Sequence, residues 1–179
     1  MRMTDFEIRR AIAADLPALA EIQQRSMREL ASMSYETAQI AAFLEHGEAI
    51  LSEIIEKANC WVAVAGPLVI GCAAWCRPGA ISLSALPKRP TLPEAEIRSV
   101  HVRPGWTRRG VARRLLDRIE KDAAEASVLR LSLLSTLNGR AFYEALGFSA
   151  TGEKKLKVDG LFMTGVAMTK QLEKSRSAA

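Results

Sequence analysis

Apolar residues along this chain switch between helical spacing and strand-like runs, in an order typical of a sheet covered by helices. Turn signals such as Gly66-Pro67 and Asp159-Gly160 separate neighbouring strand-like runs and predict tight connections. The predicted strands are 7–12, one run on each side of Gly66-Pro67, 94–102, 128–134, 154–158 and 161–168. The predicted helices lie within 15–30, 34–46, 50–58, 109–125 and 138–147. This order predicts an α/β or α+β fold, with helices flanking a mixed central sheet of six to seven strands.

Capping residues and composition set the expected boundaries of these elements. Ser34 and Asn138 are expected to cap helices, because their side-chain oxygens accept hydrogen bonds from free N–H groups at a helix start. Gly147 is expected to end the last helix in a left-handed conformation. Residues 77–93 are rich in Pro and Ser and predict a loop, and residues 170–179 predict a polar tail. No internal repeat interrupts the chain, so one domain over 1–179 is expected.

The 17 residues from Cys60 to Cys76 carry no charge. A membrane-spanning helix needs about 20 such residues, and here Gly66-Pro67 lies in the middle among residues that favour strands. Two buried strands are therefore predicted, and no membrane span. The three cysteines all lie in this stretch, without His or acidic residues at metal-ligand spacing. We expect buried free thiols in a cytoplasmic protein, and no metal site.

Positive charge is concentrated in one segment. The net charge is +5, but seven arginines and a single acid, Asp117, fall between residues 98 and 118. Such a block is typical of a solvated helix face, a nucleic-acid patch or a site for a small polyanion, and composition does not choose among them. The seven are Arg98, Arg103, Arg108, Arg109, Arg113, Arg114 and Arg118.

A strand, a Pro/Gly turn and a helix start follow one another within 100–113. A helix start presents unpaired N–H groups and a partial positive charge, and Gly110 and Ala112 lack bulk, so a phosphate group can approach the backbone. A pyrophosphate cradle is one interpretation; a basic helix start with a Gly that the turn requires is the other. Neither G-x-x-x-x-G-K-[ST] nor G-x-G-x-x-G occurs, so ATP and NAD are poorly supported.

Two segments of the chain resemble the GNAT superfamily of N-acetyltransferases. The first is Val102-Arg103-Pro104 with Trp106-Thr107-Arg108-Arg109-Gly110-Val111-Ala112 and Leu115-Leu116; the second is Thr136-Leu137-Asn138 with Phe142-Tyr143-Glu144-Ala145-Leu146-Gly147-Phe148. The order of elements is similar over 5–169. One departure is Thr107, where the family usually has Gln or Arg, and it puts the strength of the pyrophosphate contact in doubt.

The resemblance implies that acetyl-CoA is the co-substrate and lies between the strands 94–102 and 128–134, splayed apart by a bulge. It implies an amine acceptor, and leaves a homodimer open, since dimers are common in the family. The residues that the resemblance assigns to acetyl-CoA are Val100, His101, Val102, Arg108, Arg109, Gly110, Val111, Ala112, Arg113, Asn138 and Tyr143.

The implied reaction is direct attack of the amine on the thioester, with coenzyme A leaving as a thiolate. Tyr143 matches the general-acid position of the family, although an aromatic residue there also packs well. Glu96, acting through water, is the first candidate for the general base, and His101 is the alternative. Glu96 is equally explained by an ion pair with an arginine, and His101 by packing in the strand.

Two other classes of function remain open from the sequence. A non-catalytic relative would bind acetyl-CoA without transferring the acetyl group. A binding module for nucleic acid or an acidic partner would use the same arginines, but no helix-turn-helix, zinc or RNA-binding aromatic motif is present, so nucleic acid is not expected. The resemblance also implies that helices within 15–58 and the loop 77–93 wall the acceptor side. These segments contain Met27, Met33, Tyr35, Glu36 and Glu45, but no pattern in them names the amine.

Overall fold

The computed structural model describes residues 5–81 and 93–172, which form one seven-stranded sheet with helices on both faces. The strands are β1 (Glu7–Arg10), β2 (Asn59–Ala65), β3 (Leu68–Cys76), β4 (Glu94–Val102), β5 (Arg130–Ser135), β6 (Ser149–Val158) and β7 (Leu161–Gln171). The helices are α1 (Leu16–Leu30), α2 (Thr37–Glu45), α3 (Gly47–Lys57), α4 (Val111–Glu125) and α5 (Arg140–Glu144).

The sheet has the order β1-β2-β3-β4-β5-β7-β6, and β4 with β5 is its one parallel pair among the described strands. This pair is short: Glu94, Ala95 and Glu96 pair with residues of β5, and the rest of β4 does not. The register of β3 against β4 shifts between Cys72 and Ala74, opposite Ser99, whose φ is 48°. An extra residue of this kind bends a strand away from its neighbour. β4 and β5 therefore diverge in the middle of the sheet.

Alternating side chains of the sheet build two cores. On one face, the amphipathic helix α4 buries Leu115, Leu116 and Ile119 against residues such as Ala95 and Ile97 of β4. On the other face, α1 and α3 cover the opposite side chains of β2 and β3 with the fully buried Leu19, Ile22, Leu51 and Ile54. A third, smaller cluster joins α1 and α2 to β7 through Met27, Tyr35, Ile40 and Met163.

The bulge at Ser99 also changes which side chains of β4 face which core. Before the bulge, Ala95 and Ile97 point toward α4; after it, Val100 and Val102 do so. His101 consequently points to the α1 side, where it contacts Gln23. Without the extra residue, the two-residue alternation of the strand would turn His101 toward α4.

Most of the predicted architecture is confirmed, and three boundary predictions are wrong. The seven strands include β2 and β3 within the uncharged stretch. Ser34 does not cap α2, because Glu36 holds the N-cap position and its N–H binds Gln39 Oε1 at 2.8 Å. Asn138 does not cap α5, whose N-cap is Gly139.

The predicted polar tail begins too early, because β7 continues to Gln171 and Lys170 binds Glu120 at 2.6 Å. Only part of the predicted loop 77–93 can be compared, since 82–92 lie outside the described residues, as do 173–179 of the tail. Within the described chain, no helix is long and apolar enough to cross a membrane.

Candidate functional site

The divergence of β4 and β5 opens a cavity of about 320 Å³ through the sheet. Glu96, Val100 and His101 line it from β4, Leu133 and Ser135 from β5. Tyr143 of α5 reaches it from the α4 side, and residues of α1, α2, α3, β6 and β7 close it on the other side. The cavity therefore unites the three residues that the sequence proposed for proton transfer, Glu96, His101 and Tyr143.

The backbone of β4 beyond the bulge has hydrogen-bonding groups directed into this gap. Arg103 N–H donates to Ile70 O of β3 at 2.9 Å, and Val102 lies opposite Gly71. Successive residues of a strand direct their N–H and C=O groups to opposite sides, so those of Val102 point away from β3. Val100, two residues earlier, shares that direction. An extended ligand in the gap meets these groups as an added strand would.

The start of α4 carries a row of unpaired N–H groups. The first bond into the helix is from Arg114 N–H to Gly110 O, at 3.0 Å. None of the backbone N–H groups from Arg108 to Arg113 donates a hydrogen bond to another described residue, and Gly110 provides no side-chain cap. Together with the helix dipole, these groups form a site for an anion.

Two left-handed residues shape this turn. Arg108 has φ 63° and Gly110 has φ 78°, and left-handed residues in such turns direct successive N–H groups toward one side, as in anion-binding nests. Gly110 therefore satisfies a backbone requirement, as the second interpretation of the sequence held. A Cβ atom at Gly110 would meet no atom of the described chain within 4 Å, so the space beside the turn is open to a ligand. The two interpretations are compatible.

The seven arginines between 98 and 118 separate into two groups. Five contact other side chains: Arg98 with Glu96, Arg103 with Glu21, Arg109 with Trp106, Arg114 with Phe6, and Arg118 with Asp122 and Trp61. Arg109 lies over the Trp106 ring at 5.0 Å. Arg108 and Arg113 are exposed and form no ion pair with the described residues. These two free guanidinium groups flank the unpaired N–H groups of α4.

The loop between β4 and α4 is held firmly in place. The guanidinium of Arg103 binds both carboxylate oxygens of Glu21 in α1, at 2.7 and 2.9 Å, and Trp106 packs against the core under α4. Thr107, the departure from the family pattern, donates its hydroxyl hydrogen to Pro104 O at 2.9 Å. Its side chain therefore stabilises the turn itself and points back into the loop.

Tyr143 is held between two aromatic rings. Its ring meets Phe142 and Phe148 edge to face, with centroids 5.1 and 5.8 Å apart. Burial raises the pKa of its phenol above the ordinary value. The hydroxyl has no hydrogen-bond partner among the described residues, and Tyr143 lines the cavity. Tyr143 is thus a protonated phenol whose hydrogen is available to a ligand.

Glu96 is the only carboxylate among the described residues that line the large cavity. Its side chain is 2% exposed, and Oε1 lies 3.0 Å from Nη1 of Arg98. Both residues precede the bulge and share the α1 face of β4. The guanidinium offsets part of the cost of burying the carboxylate.

His101 is buried beside Gln23 of α1, with 3.4 Å between the two Nε2 atoms. Burial lowers the pKa of the imidazole to about 4, because a buried ring is costly to charge. A neutral ring accepts the amide hydrogen of Gln23 at Nε2. At neutral pH, a group with this pKa is a weaker proton acceptor than an unperturbed histidine.

Asn138 lies on the surface, away from the cavity. Its Nδ2 donates to Leu30 O at the end of α1, at 3.0 Å. The structure thus gives this side chain a tethering role between α1 and the loop after β5, and its assignment to acetyl-CoA stays a prediction.

The resemblance placed the acceptor wall on helices within 15–58, where Met27 and Tyr35 line the cavity, but sequence reasoning did not identify the other wall residues. Gln23, Phe43 and Ile50 come from three helices, and Met163 comes from β7. At helical spacing such apolar residues are indistinguishable from ordinary core. Tyr35 carried a weak signal as an aromatic between two helices, and its hydroxyl donates to Thr164 O at 2.7 Å.

No group of three or more His, Cys, Asp or Glu side chains within 5–81 and 93–172 is arranged to hold a metal ion. The three cysteines are buried and free. Burial raises the pKa of all three thiols, to about 12 for Cys60 and about 11 for Cys76.

Comparison with known proteins agrees with this geometry. A family model described as an acetyltransferase (GNAT) domain matches residues 56–150. An uncharacterized N-acetyltransferase of Escherichia coli K12, YafP, is 26% identical over 166 residues, which are 93% of this chain and 96% of YafP.

Two solved structures have the same fold. One is a GCN5-related N-acetyltransferase from Rhodopseudomonas palustris, with a TM-score of 0.80 and 22% identity, covering 96% of this chain and 99% of that one. The other is the PaiA N-acetyltransferase of Thermoplasma acidophilum in complex with coenzyme A, with a TM-score of 0.68 and 19% identity, covering 93% of this chain and 99% of that one.

The matched region of the family model includes the β4–α4 loop and α5, and it covers more than half of the chain. The chain therefore belongs to the GNAT family of acetyltransferases. It is an acetyl-CoA-dependent acyltransferase, and the resemblance seen in the two sequence segments is confirmed.

The environment of His101 predicts a pH dependence of stability. Its pKa in the fold is about 4, against 6.5 for the unperturbed group, so the unfolded chain binds more protons below pH 6.5. The resulting stabilisation is present above pH 6.5 and is lost as the pH falls toward 4. Between pH 7 and 5 the free energy of unfolding should fall by about 2 kcal/mol from this residue alone.

Urea unfolding of the parent and of His101→Gln at both pH values measures this loss, which should disappear in the variant. The control is His46→Gln, which removes the other, exposed histidine and should keep the parent's pH dependence. Equal pH dependence in the parent and His101→Gln would contradict the assignment.

Proposed function

We propose that this protein moves the acetyl group of acetyl-CoA to a primary amine by direct attack of the amine. The observation that carries the proposal is the unpaired row of N–H groups at the start of α4, beside a sheet that is open between β4 and β5. An anion-binding helix start leading into a channel for an extended arm suits a nucleotide diphosphate joined to a thiol-bearing chain.

The residues present fit acetyl-CoA at each part of this path. The N–H groups of Arg108 to Arg113 and the guanidinium groups of Arg108 and Arg113 would hold the diphosphate. The outward N–H and C=O groups of Val100 and Val102 would pair with the pantetheine arm. When bound, acetyl-CoA supplies an activated thioester carbonyl, whose oxygen the N–H of Val102 would stabilise as negative charge develops.

Tyr143 would act as the general acid. As the C–S bond breaks, its phenol would donate a proton to the departing sulfur. In water the reference pKa values of Tyr and a thiol differ by about 1.5 units, so the transfer costs about 2 kcal/mol. Burial raises the pKa of Tyr143, which keeps the phenol protonated and makes the transfer costlier than in water unless the bound thiol would be desolvated as well.

Glu96 would accept the proton of the amine through a water molecule. An alkylamine with a pKa near 10.4 is about 99.9% protonated at neutral pH, so a base is required. Glu96 is favoured over His101 because it is the one carboxylate among the described residues that line the cavity, whereas the lowered pKa of His101 leaves that ring weakly basic.

The alternatives receive less support. Five of the seven arginines contact other side chains of the protein, which leaves a smaller basic surface for a nucleic acid or an acidic partner. A relative that binds acetyl-CoA without transfer would not require a free tyrosine hydroxyl and a buried carboxylate in one cavity.

We further propose one acetyltransferase domain over 1–179 in the cytoplasm, a location that the three buried free thiols favour.

Arg108→Ala and Arg113→Ala should each weaken acetyl-CoA binding by about threefold to tenfold, because each variant removes one exposed charge beside the diphosphate. Calorimetric titration with acetyl-CoA at fixed salt measures the dissociation constant. Arg28→Ala is the control, since it removes an exposed arginine of α1 and changes the net charge equally. Equal losses in all three variants would show that net charge alone matters.

Tyr143→Phe should lower kcat by about 100-fold, within the usual contribution of a general acid, and leave acetyl-CoA binding unchanged. Release of free thiol measures kcat. In the parent, acetyl-CoA at 100 times its dissociation constant should add about 2.7 kcal/mol of stability, and the variant should show the same gain. Full activity in Tyr143→Phe would remove this residue from the mechanism.

Glu96→Gln should lower kcat/KM for the amine at pH 7, and the deficit should shrink as the pH approaches 10, because the amine then loses its proton in solution. His101→Gln should show no such recovery. Rate profiles of the three proteins between pH 7 and 10 make the comparison. Recovery at high pH in His101→Gln, with none in Glu96→Gln, would transfer the role of base to His101.

A further inference from the structure

The wall of the cavity on the α1 side has a composition of its own. Three helices contribute Met27, Phe43 and Ile50, and the β6–β7 hairpin contributes Leu156 and Met163. All five are apolar, and the polar residues on the same side are Gln23, Tyr35 and Thr164; Glu96 of β4 lines the same cavity. Because the start of α4 and Val100 lie on the other side of the sheet, the cofactor and the acceptor approach from opposite faces.

We propose that the acceptor bound against this wall is a small primary amine on an uncharged hydrocarbon body, aliphatic or aromatic. The assignment rests on the proposed acetyl transfer and names its substrate class. Binding pockets of this kind are mostly apolar with few polar groups that set orientation, and 320 Å³ is at the small end of their range.

The charges of the site exclude an acceptor with a second positive charge. Glu96 is the one carboxylate among the described lining residues, and Arg98 lies 3.0 Å from it. The acids Glu36 and Glu45, on the helices of this wall, are exposed and do not line the cavity. A second ammonium group would therefore lie against Met, Phe and Leu side chains without a counter-charge, which is costly.

The wall is preformed. Tyr35 Oη donates to Thr164 O at 2.7 Å and accepts from Leu137 N–H at 3.0 Å, which joins the α1–α2 connection to β7 and the loop after β5. Gln39 Nε2 donates to Phe162 O at 2.7 Å. These bonds hold the helices against the hairpin, so a small apolar body binds without the cost of ordering the wall.

The test compares matched amines. Thiol release from acetyl-CoA is measured with hexylamine and with 1,6-diaminohexane, which differ in a second ammonium group, and with phenethylamine, spermidine and a short peptide with a free N-terminal alanine. After correction for its two equivalent amines, 1,6-diaminohexane should have a kcat/KM at least tenfold below that of hexylamine. Phenethylamine should react well, and spermidine and the peptide poorly.

A variant pair links this preference to the wall. Phe43→Ala should lower kcat/KM for phenethylamine about tenfold, with the thermal shift caused by acetyl-CoA unchanged. Phe162→Ala is the control, because it removes an exposed ring of β7 that does not line the cavity and retains the carbonyl that Gln39 binds.

The outcomes separate the two claims. Efficient transfer to spermidine, the diamine or the peptide, but not to hexylamine or phenethylamine, would overturn the substrate class and leave acetyl transfer standing. Equal kcat/KM values for hexylamine and the diamine would also overturn the substrate class and leave acetyl transfer standing. No thiol release with any amine, in a protein that acetyl-CoA still stabilises, would overturn both.

Discussion

Backbone N–H groups at a helix start need partners, and at the beginning of α4 the described protein supplies none from Arg108 to Arg113. The surrounding chain holds these N–H groups in place without pairing them. Left-handed conformations at Arg108 and Gly110 direct the turn, and the ion pair of Arg103 with Glu21 fixes the loop to α1. A helix start left unpaired within a firmly held loop is preorganised for an anion.

The bulge at Ser99 provides the second part of the site, the opening between β4 and β5 beside the anion site at the start of α4. One extra residue in β4 separates this strand from β5 and turns His101 to the α1 side. The resulting opening connects the two faces of the sheet, with Tyr143 on one side and Glu96 on the other. A proton donor for the leaving sulfur and an acceptor for the amine proton are thereby separated along one path. The reaction needs the proton acceptor on the side of the amine and the proton donor on the side of the sulfur, and the two residues are separated in this way.

How much the sequence predicted depended on whether a signal was local. The strands on each side of Gly66-Pro67 and the amphipathic face of α4 are local patterns and were predicted well. The N-caps of α2 and α5 were predicted wrongly. Glu36, whose N–H binds Gln39, holds the N-cap position expected for Ser34, and the side chain of Asn138 donates to Leu30, 108 positions away along the chain. Competition between partners of this kind depends on the folded structure.

The same distinction applies to the site. The segments around Gly110 and Tyr143 carry contiguous motifs, so the cofactor side could be predicted. The acceptor wall is assembled from single residues of α1, α2, α3, β6 and β7, such as Met27 and Met163, and each looks like core in isolation. The resemblance implied the bulge, and packing was one interpretation of His101, but its contact with Gln23 could not be predicted, because no local pattern connects α1 with β4.

The most direct measurement is the response of individual backbone amides to coenzyme A and to pantetheine, which lacks the diphosphate. In ¹H–¹⁵N correlation spectra, coenzyme A should shift the amides of Arg108 to Arg113 strongly, whereas pantetheine should affect β4 and β5 and leave those amides in place. Unchanged amides at the start of α4 in saturating coenzyme A would contradict the account.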